Sequence, residues 1–502
     1  MFIGIDIGTS ATKAILIDEN ARVLKSATRE YPLDTPRNGW AEQNPALWKD
    51  AAIETIREII SGISASEIKA VGLTGQMHGL VCLDKSENVL RPAILWCDQR
   101  TSVECIEITE RIGKSRLIEL TANPALTGFT APKILWVRKN EPDIYAKISK
   151  IMLPKDYIRY ILTGENASDM SDASGTGLLN VANRSWDLEV LTKLDIDKSW
   201  LGNLFESPEI TGRITQKASE LTGLPAGIPV VAGAGDNAAA AIGTGVARDG
   251  QAFVTIGSSG VVFAHTSKMR LDSAGRVHTF CAAVPGEWHI MGVTLAAGLS
   301  LKWFRDTFSP GTPYQELSDM AENIPIGADR LLFLPYLNGE RSPHLDPDAR
   351  GAFIGLSASH KKAHLVRAVM EGVTYSLRDC YDIILEMGAE FSEITACGGG
   401  MTSRFWRQMT ADVFGARVIT VQTSDAPALG AALLSAVGAG AYASVREACD
   451  AVIMRTDTIA PDARAGIEYG RYHAIYRELY AALREINMQL QHANLHKHAS
   501  FS

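Results

Sequence analysis

Two stretches far apart in the chain share one plan, and that repetition restricts the possible folds more than any other feature. Residues 2–18, FIGIDIGTSATKAILID, read as an apolar strand, a turn of small residues at Gly8, Thr9 and Ser10, and a second strand over 14–18. Residues 250–265, GQAFVTIGSSGVVFAH, set the same kind of hydroxyl-bearing turn between two β-runs. The segments downstream of the two copies are also alike. In the first, a strand at 22–30 completes a meander, helical periodicity covers 45–63, and a buried strand at 70–74 leads through a Gly-rich turn to another at 80–84. In the second, strands continue through EWHIMGV, then comes a helix-rich stretch, and a strand at 393–396 enters the glycine cluster CGGGMTSRFW ahead of a helix. A chain of 502 residues is too long for one ordinary core. The expectation is therefore an α/β duplication: units at 1–245 and 246–490, then a polar, His-dotted tail at 491–502 that frays.

Within the first copy, Asp6 stands out. Phe2, Ile3, Ile5 and Ile7 around it read as a buried strand, where an unpaired carboxylate costs several kcal/mol, so Asp6 requires a cation or strong donors. A turn rich in Gly, Thr and Ser can aim N–H groups and hydroxyls at one anion, and Lys13 can add charge. An ordinary hairpin turn is the plain alternative. A carboxylate beside a phosphate repels it unless a cation lies between, and Mg²⁺ is typically held by one or two carboxylates together with substrate phosphates. Mg²⁺ is thus the partner expected for Asp6. IGSSG at 256–260 offers the same equipment from the second unit, so a phosphate chain clasped between two units is the reading that uses both turns.

Composition narrows the partners. The formal net charge is -8 and charged residues make up 21%, which argues against nucleic acid and anionic membrane and requires any phosphate to be held locally. The seven cysteines, Cys82, Cys97, Cys105, Cys281, Cys380, Cys397 and Cys449, are scattered without a CxxC pair, which fits a reducing cytoplasm better than a disulfide framework or zinc site. No basic n-region or long apolar run suggests export or insertion.

Two further stretches bear on chemistry. ACGGGMTSRFWRQM (396–409) places three glycines between a strand and a helix, where backbone can approach a ring or a phosphate, or where a plain βα loop needs them. In VVAGAGDNAAAAIG (230–243), Asp236 stands at the start of an alanine-rich helix, where a helix cap is its local reading. GAGDNA also fits a GxGxxA dinucleotide fingerprint, but the aspartate would face the pyrophosphate and no acidic residue lies about 20 positions on. No GxxxxGK[ST] and no HExxH occurs.

The motifs IGIDIGTSATKAILID, GWAEQNP, GLTGQMHGLVCLD, AILWCDQR, GFTAPKILWVRKNEP, LPKDY, SDMSDASGT, VVAGAGDNAAAAIGTG, FLPYLNGERSPH, ACGGGMTSRFWRQMTADVFG and APALGAALLSAVGAG, in this order from residue 2 to about 480, resemble the FGGY carbohydrate kinases. That resemblance implies a duplicated actin-like, ribonuclease H-like fold with ATP in the cleft between two domains, and transfer of phosphate to a ketopentose hydroxyl. It implies Asp236 as catalytic base, with Asn237, Met77, His78 and Trp96 as sugar contacts. It places Thr9, Ser10, Gly257 and Ser258 on the phosphate turns, Gly399, Gly400 and Ser403 on the adenosine side, and Asp6 close to Mg²⁺. A cytoplasmic homodimer is implied as well. The second turn reads IGSSG where threonine is commoner in the family, and serine keeps both hydroxyl and N–H. The Arg-Glu pair expected of glycerol kinases is absent at 77 and 78, which disfavours glycerol. A cytoskeletal actin-like protein would leave GQMHG and the Asp236-Asn237 pair without a role, and a sugar-binding regulator would need a DNA-reading module for which neither length nor basic charge is available.

Overall fold

A computed structural model describes residues 1–391, 393–423 and 425–493. Its two large sheets share one topology. In the first, β1 (Phe2–Ile7), β2 (Ala11–Ile17) and β3 (Val23–Glu30) form an antiparallel meander. On the other side of β1, β4 (Ala70–Gly75) pairs parallel to it, then β6 (Pro229–Val231), also parallel, and the antiparallel edge β5 (Ile210–Arg213), while the short β7 (Ala234–Gly235) continues alongside β4. The second sheet repeats this. Its central strand β8 (Gln251–Ile256) is flanked on one side by antiparallel β9 (Gly260–Thr266) and β11 (Trp288–Thr294), with β10 (His278–Cys281) added at the edge. Parallel β12 (Glu393–Cys397) and β13 (Arg417–Val421), then antiparallel β14 (Arg455–Ile459), complete the other side. The duplication legible in the two hairpins therefore extends across both sheets.

Register makes the comparison residue by residue. Asp6 lies opposite Lys13 on β2 and Thr74 on β4; at the matching place in β8, Thr255 lies opposite Val261 and Cys397. The carboxylate and its facing cation thus belong to the first sheet alone. The expected helix at 45–63 forms as α1 (Pro45–Ile60), capped by Asn44, whose side chain accepts from the Ala46 N–H, and ends ahead of Gly62, which takes a positive φ of 74°. The stretch expected to fray begins as helix: α8 (Ala463–His492) runs through Gln491 and His492, and 494–502 lie outside the described residues.

The halves are joined by two alanine-rich helices. α3 (Asp236–Gly243) and α7 (Ala426–Gly438) pack against each other, and α7, although it comes late in the chain, lies on β1 and β4 of the first sheet. Glycine makes this possible. A Cβ on Gly4 would fall 2.0 Å from the Ala428 carbonyl oxygen, one on Gly72 2.0 Å from that of Ala431, and one on Gly430 1.9 Å from that of Ala239. Side chains of any size would push the helix off the sheet. In a free helix Gly→Ala gains about 1 kcal/mol, but at Gly430 the clash is with backbone, and overpacking costs typically about 1–3 kcal/mol. Gly430→Ala should therefore lower the melting temperature; a rise would show that the helices can separate at no cost.

Candidate active site

The first turn is fixed from beneath by a buried polar network. Gln43, fully buried, donates from Nε2 to the Thr9 carbonyl at 2.7 Å and accepts from Trp48 Nε1 and from Gln76 Nε2. The Tyr31 hydroxyl donates to the Gly8 carbonyl at 2.6 Å. Thr9 Oγ1 accepts from Trp96 Nε1 at 3.0 Å and donates to Gln76 Oε1 at 3.2 Å. The threonine hydroxyl is therefore spent on holding the turn, and Trp96 is part of that support. Ser10, at the tip, is exposed.

Asp6 sits at the base of this turn with Oδ1 shut off from solvent and, among the described residues, unpartnered. Burial, then the charges of Asp236 and Asp425, hold its carboxyl up to about 7, against the opposing pull of Lys13. Lys13 itself is ion-paired with Asp425, the residue that leads into α7. Three carboxylates and one ammonium from four segments thus converge here. An orphaned buried carboxylate oxygen among like charges is an arrangement that suits a divalent cation.

Asp236 is not a helix cap. Gly235 occupies that position, and Asp236 is the first residue of α3, its Oδ1 accepting from the backbone N–H (2.7 Å) and Nδ2 (2.9 Å) of Asn237. Among the described residues no donor reaches Oδ2. Burial raises the carboxyl to about 6, against the two hydrogen bonds from Asn237. Met77 and His78 come after β4 beside it. A Cβ on Gly235 would meet Met77 Cγ, Sδ and Cε at 3.0–3.1 Å, so the methionine packs directly against the turn that carries Asp236. His78, 4% exposed and with φ at 69°, stacks on Phe129 at 4.7 Å and donates from Nδ1 to the Gly175 carbonyl at 2.7 Å. Burial, with Arg341 and Lys133 nearby, holds it well below the usual histidine range. It is a neutral imidazole that presents Nε2 as an acceptor. Behind the pair the halves meet, since Met77 and Phe129 share an apolar cluster with Phe253, Phe263 and Phe280.

In the second half, the Gly257 and Ser258 carbonyls accept from the N–H groups of Gly298, Ala297 and Leu299 at the start of α4 (Gly298–Phe308), which leaves Ser258 exposed at the turn. Gly398 and Gly400 are pressed onto the end of β8, where added Cβ atoms would lie 2.7 Å from the Ile256 carbonyl oxygen and 2.4 Å from Ile256 Cγ2. Gly399 faces open space. Ser403 caps α6 (Arg404–Phe414), accepting from the Trp406 N–H and sharing a 2.6 Å hydrogen bond with Ser318, so its hydroxyl is engaged within the protein.

Several residues of the site were not singled out from sequence. Gln76 sits in GQMHG, read for Met77 and His78, and Asp425 directly precedes the motif APALGAALLSAVGAG. Lys133 is fully buried; it donates to the His78 and Gly128 carbonyls, and burial lowers it to about 7. Its signal was available: a lysine within the apolar run TAPKILWV poses the same problem as Asp6.

Both halves match one family. Residues 1–243 match the N-terminal domain, and 252–439 the C-terminal domain, of the FGGY family of carbohydrate kinases. The chain belongs to that family, and the fold is its two-domain kinase fold. A xylulose kinase of Bacillus subtilis (strain 168) is 39% identical over 491 residues, covering 97% of this chain and 98% of the relative. A xylulose kinase of Escherichia coli (strain K12) is 41% identical over 485 residues, covering 96% and 99%. The crystal structure of a xylulose kinase from Rhodospirillum rubrum superimposes with a TM-score of 0.90 at 30% identity, covering 97% of this chain and 99% of that one. The chain is a sugar kinase. Among the described residues no helix is long and apolar enough to cross a membrane.

Proposed function

We propose that the protein transfers the γ-phosphate of ATP to a ketopentose hydroxyl, with D-xylulose as the preferred acceptor and D-xylulose 5-phosphate as the product. The observation that carries this is the Asp236 carboxylate: half-buried, raised to about 6, with one oxygen held by Asn237 and the other without a donor among the described residues, beside Met77 and His78. The names of the relatives support the choice of sugar. A sugar hydroxyl is a poor nucleophile. As its oxygen attacks the γ-phosphorus and the bond to the β–γ bridging oxygen breaks, Asp236 takes the hydroxyl proton and ADP leaves. The turn at Thr9-Ser10 and the Ser258 N–H of the second turn face the phosphates, the Gly257 N–H being donated to the Ser259 carbonyl within that turn, and Gly399 and Gly400 form the floor of the adenosine side. Asp6 would hold Mg²⁺, which when bound offsets charge on the β- and γ-phosphates. Closure of the two halves on bound substrates would keep water, the competing acceptor, away from the phosphoryl group.

Specificity falls to the Met77–His78 pair. His78 Nε2 accepts from a sugar hydroxyl, and deleting it leaves that hydroxyl unpaired at a cost of about 1–3 kcal/mol. In His78→Ala, kcat/KM for D-xylulose should fall by the corresponding factor and the preference over D-ribulose should narrow, with glycerol poor throughout. A coupled ADP-release assay across these three acceptors measures it. Unchanged ratios with a lowered melting temperature would make His78 a packing residue, and a wild-type preference for ribulose would move the assignment to another ketopentose.

A further inference from the structure

Behind the site lies a buried charge cluster that the proposed chemistry does not use. Lys155, fully buried in the helix Pro154–Thr163, places Nζ 2.6 Å from Asp156 Oδ1, 2.6 Å from Asp169 Oδ2 and 3.3 Å from Asp172 Oδ2. All three carboxylates are buried as well. Arg159 adds a second cation, 3.0 Å from Asp156 Oδ1, and donates to the Ala232 carbonyl. Burial holds the Asp172 carboxyl well above the usual range, against the opposing pull of Lys155. Stability is a weak reason for such a cluster, because apolar residues of similar volume commonly do as well.

Its connections give a better one. Asp169 Oδ1 accepts from Ser171 Oγ at 2.5 Å, and Ser171 Oγ accepts the backbone N–H of Gly235, the residue before Asp236, at 3.0 Å. Four residues on, the Gly175 carbonyl accepts from His78 Nδ1. One short segment therefore grips the turn that carries Asp236 at one end and the His78 ring at the other, and Lys155 anchors it through Asp169 and Asp172. No atom of the segment is needed for the chemistry itself.

We propose that residues 169–176, anchored by Lys155, form a rigid spacer that sets the position of the Asp236 carboxylate relative to the His78 ring, so that the sugar hydroxyl is delivered to the base. Ser171, Gly175 and Lys155 are positioning residues. The inference rests on the reading of Asp236 as base and His78 as sugar contact. Proximity effects make small misplacements expensive in rate, and the two ends of the spacer predict different kinetic signatures.

Lys155→Met strands buried carboxylates and risks misfolding, so the test uses the ends of the spacer in the full-length protein. Ser171→Ala frees the Gly235 N–H; with MgATP saturating, kcat for D-xylulose should fall about tenfold while the sugar KM stays near wild type. Gly175→Ala puts a Cβ 2.4 Å from His78 Nδ1; the sugar KM should rise about tenfold with a smaller change in kcat. Wild-type kcat and KM in both variants, even with lowered melting temperatures, would overturn the spacer, as would the same change in kcat and KM from both. Asp236→Asn separates the two readings. If that variant is inactive while Ser171→Ala is fully active, the spacer alone fails; if Asp236→Asn turns over normally, the base assignment fails and takes the spacer with it.

Discussion

Asp236→Asn should lower kcat by roughly 10²–10⁴-fold while leaving the KM values for sugar and ATP close to wild type. Asparagine matches the aspartate in shape and can still accept from the Asn237 N–H groups with its amide oxygen, so the first turn of α3 keeps its form. The loss is confined to the proton acceptor. The wild-type carboxyl is held at about 6 by burial, and the base must be ionised to act, so kcat/KM should fall as pH drops through that value. The variant should lose this acid limb along with its rate. Steady-state kinetics from pH 5 to 8 test both parts, and near-normal turnover with the limb intact would place the base elsewhere.

The second large effect is expected at Asp6. Asp6→Asn removes the charge that would meet Mg²⁺, so turnover should fall and the Mg²⁺ concentration for half-maximal rate should rise, with little change in sugar affinity. The same substitution should stabilise the ligand-free protein. At pH 8 the wild-type carboxylate is ionised, shut in beside Asp236 and Asp425 with Oδ1 unpartnered among the described residues, and a neutral amide relieves that repulsion by on the order of 1–3 kcal/mol. A higher melting temperature together with impaired Mg²⁺ response would mark Asp6 as a residue kept for function at the expense of stability. An unchanged Mg²⁺ titration would make it a structural carboxylate.

Much of the molecule could be read in advance because its signals are local. The two hairpins show themselves by period-two apolar runs around Gly-Thr-Ser and Gly-Ser-Ser turns, and α1 by its 3.6-residue period behind Asn44. Asp6 was conspicuous because a single carboxylate in an apolar strand is costly wherever that strand ends up. Asp236 was visible as a residue, but its local signal pointed to a helix cap; Gly235 takes the cap, and that only one oxygen of Asp236 is held, by Asn237, is apparent only in three dimensions.

Other features depend on segments that meet only when the chain folds. Lys13, expected to lend charge to the phosphate turn, is ion-paired with Asp425, whose segment reaches β1 because Gly4 and Gly72 let α7 lie against the first sheet while Gly430 lets it pack on α3. The Thr9 and Ser403 hydroxyls are engaged by Trp96, Gln76 and Ser318 from distant segments. The fold class, the duplicated hairpins and the misfit carboxylate came from the order of residues alone, since periodicity, turn chemistry and the cost of a buried charge act within a few residues. Which hydroxyls stay available, which cation faces which carboxylate, and how Lys155, Ser171 and Gly175 tie Asp236 to His78 were decided by tertiary structure, because hydrogen bonds and ion pairs depend on distances that only packing sets.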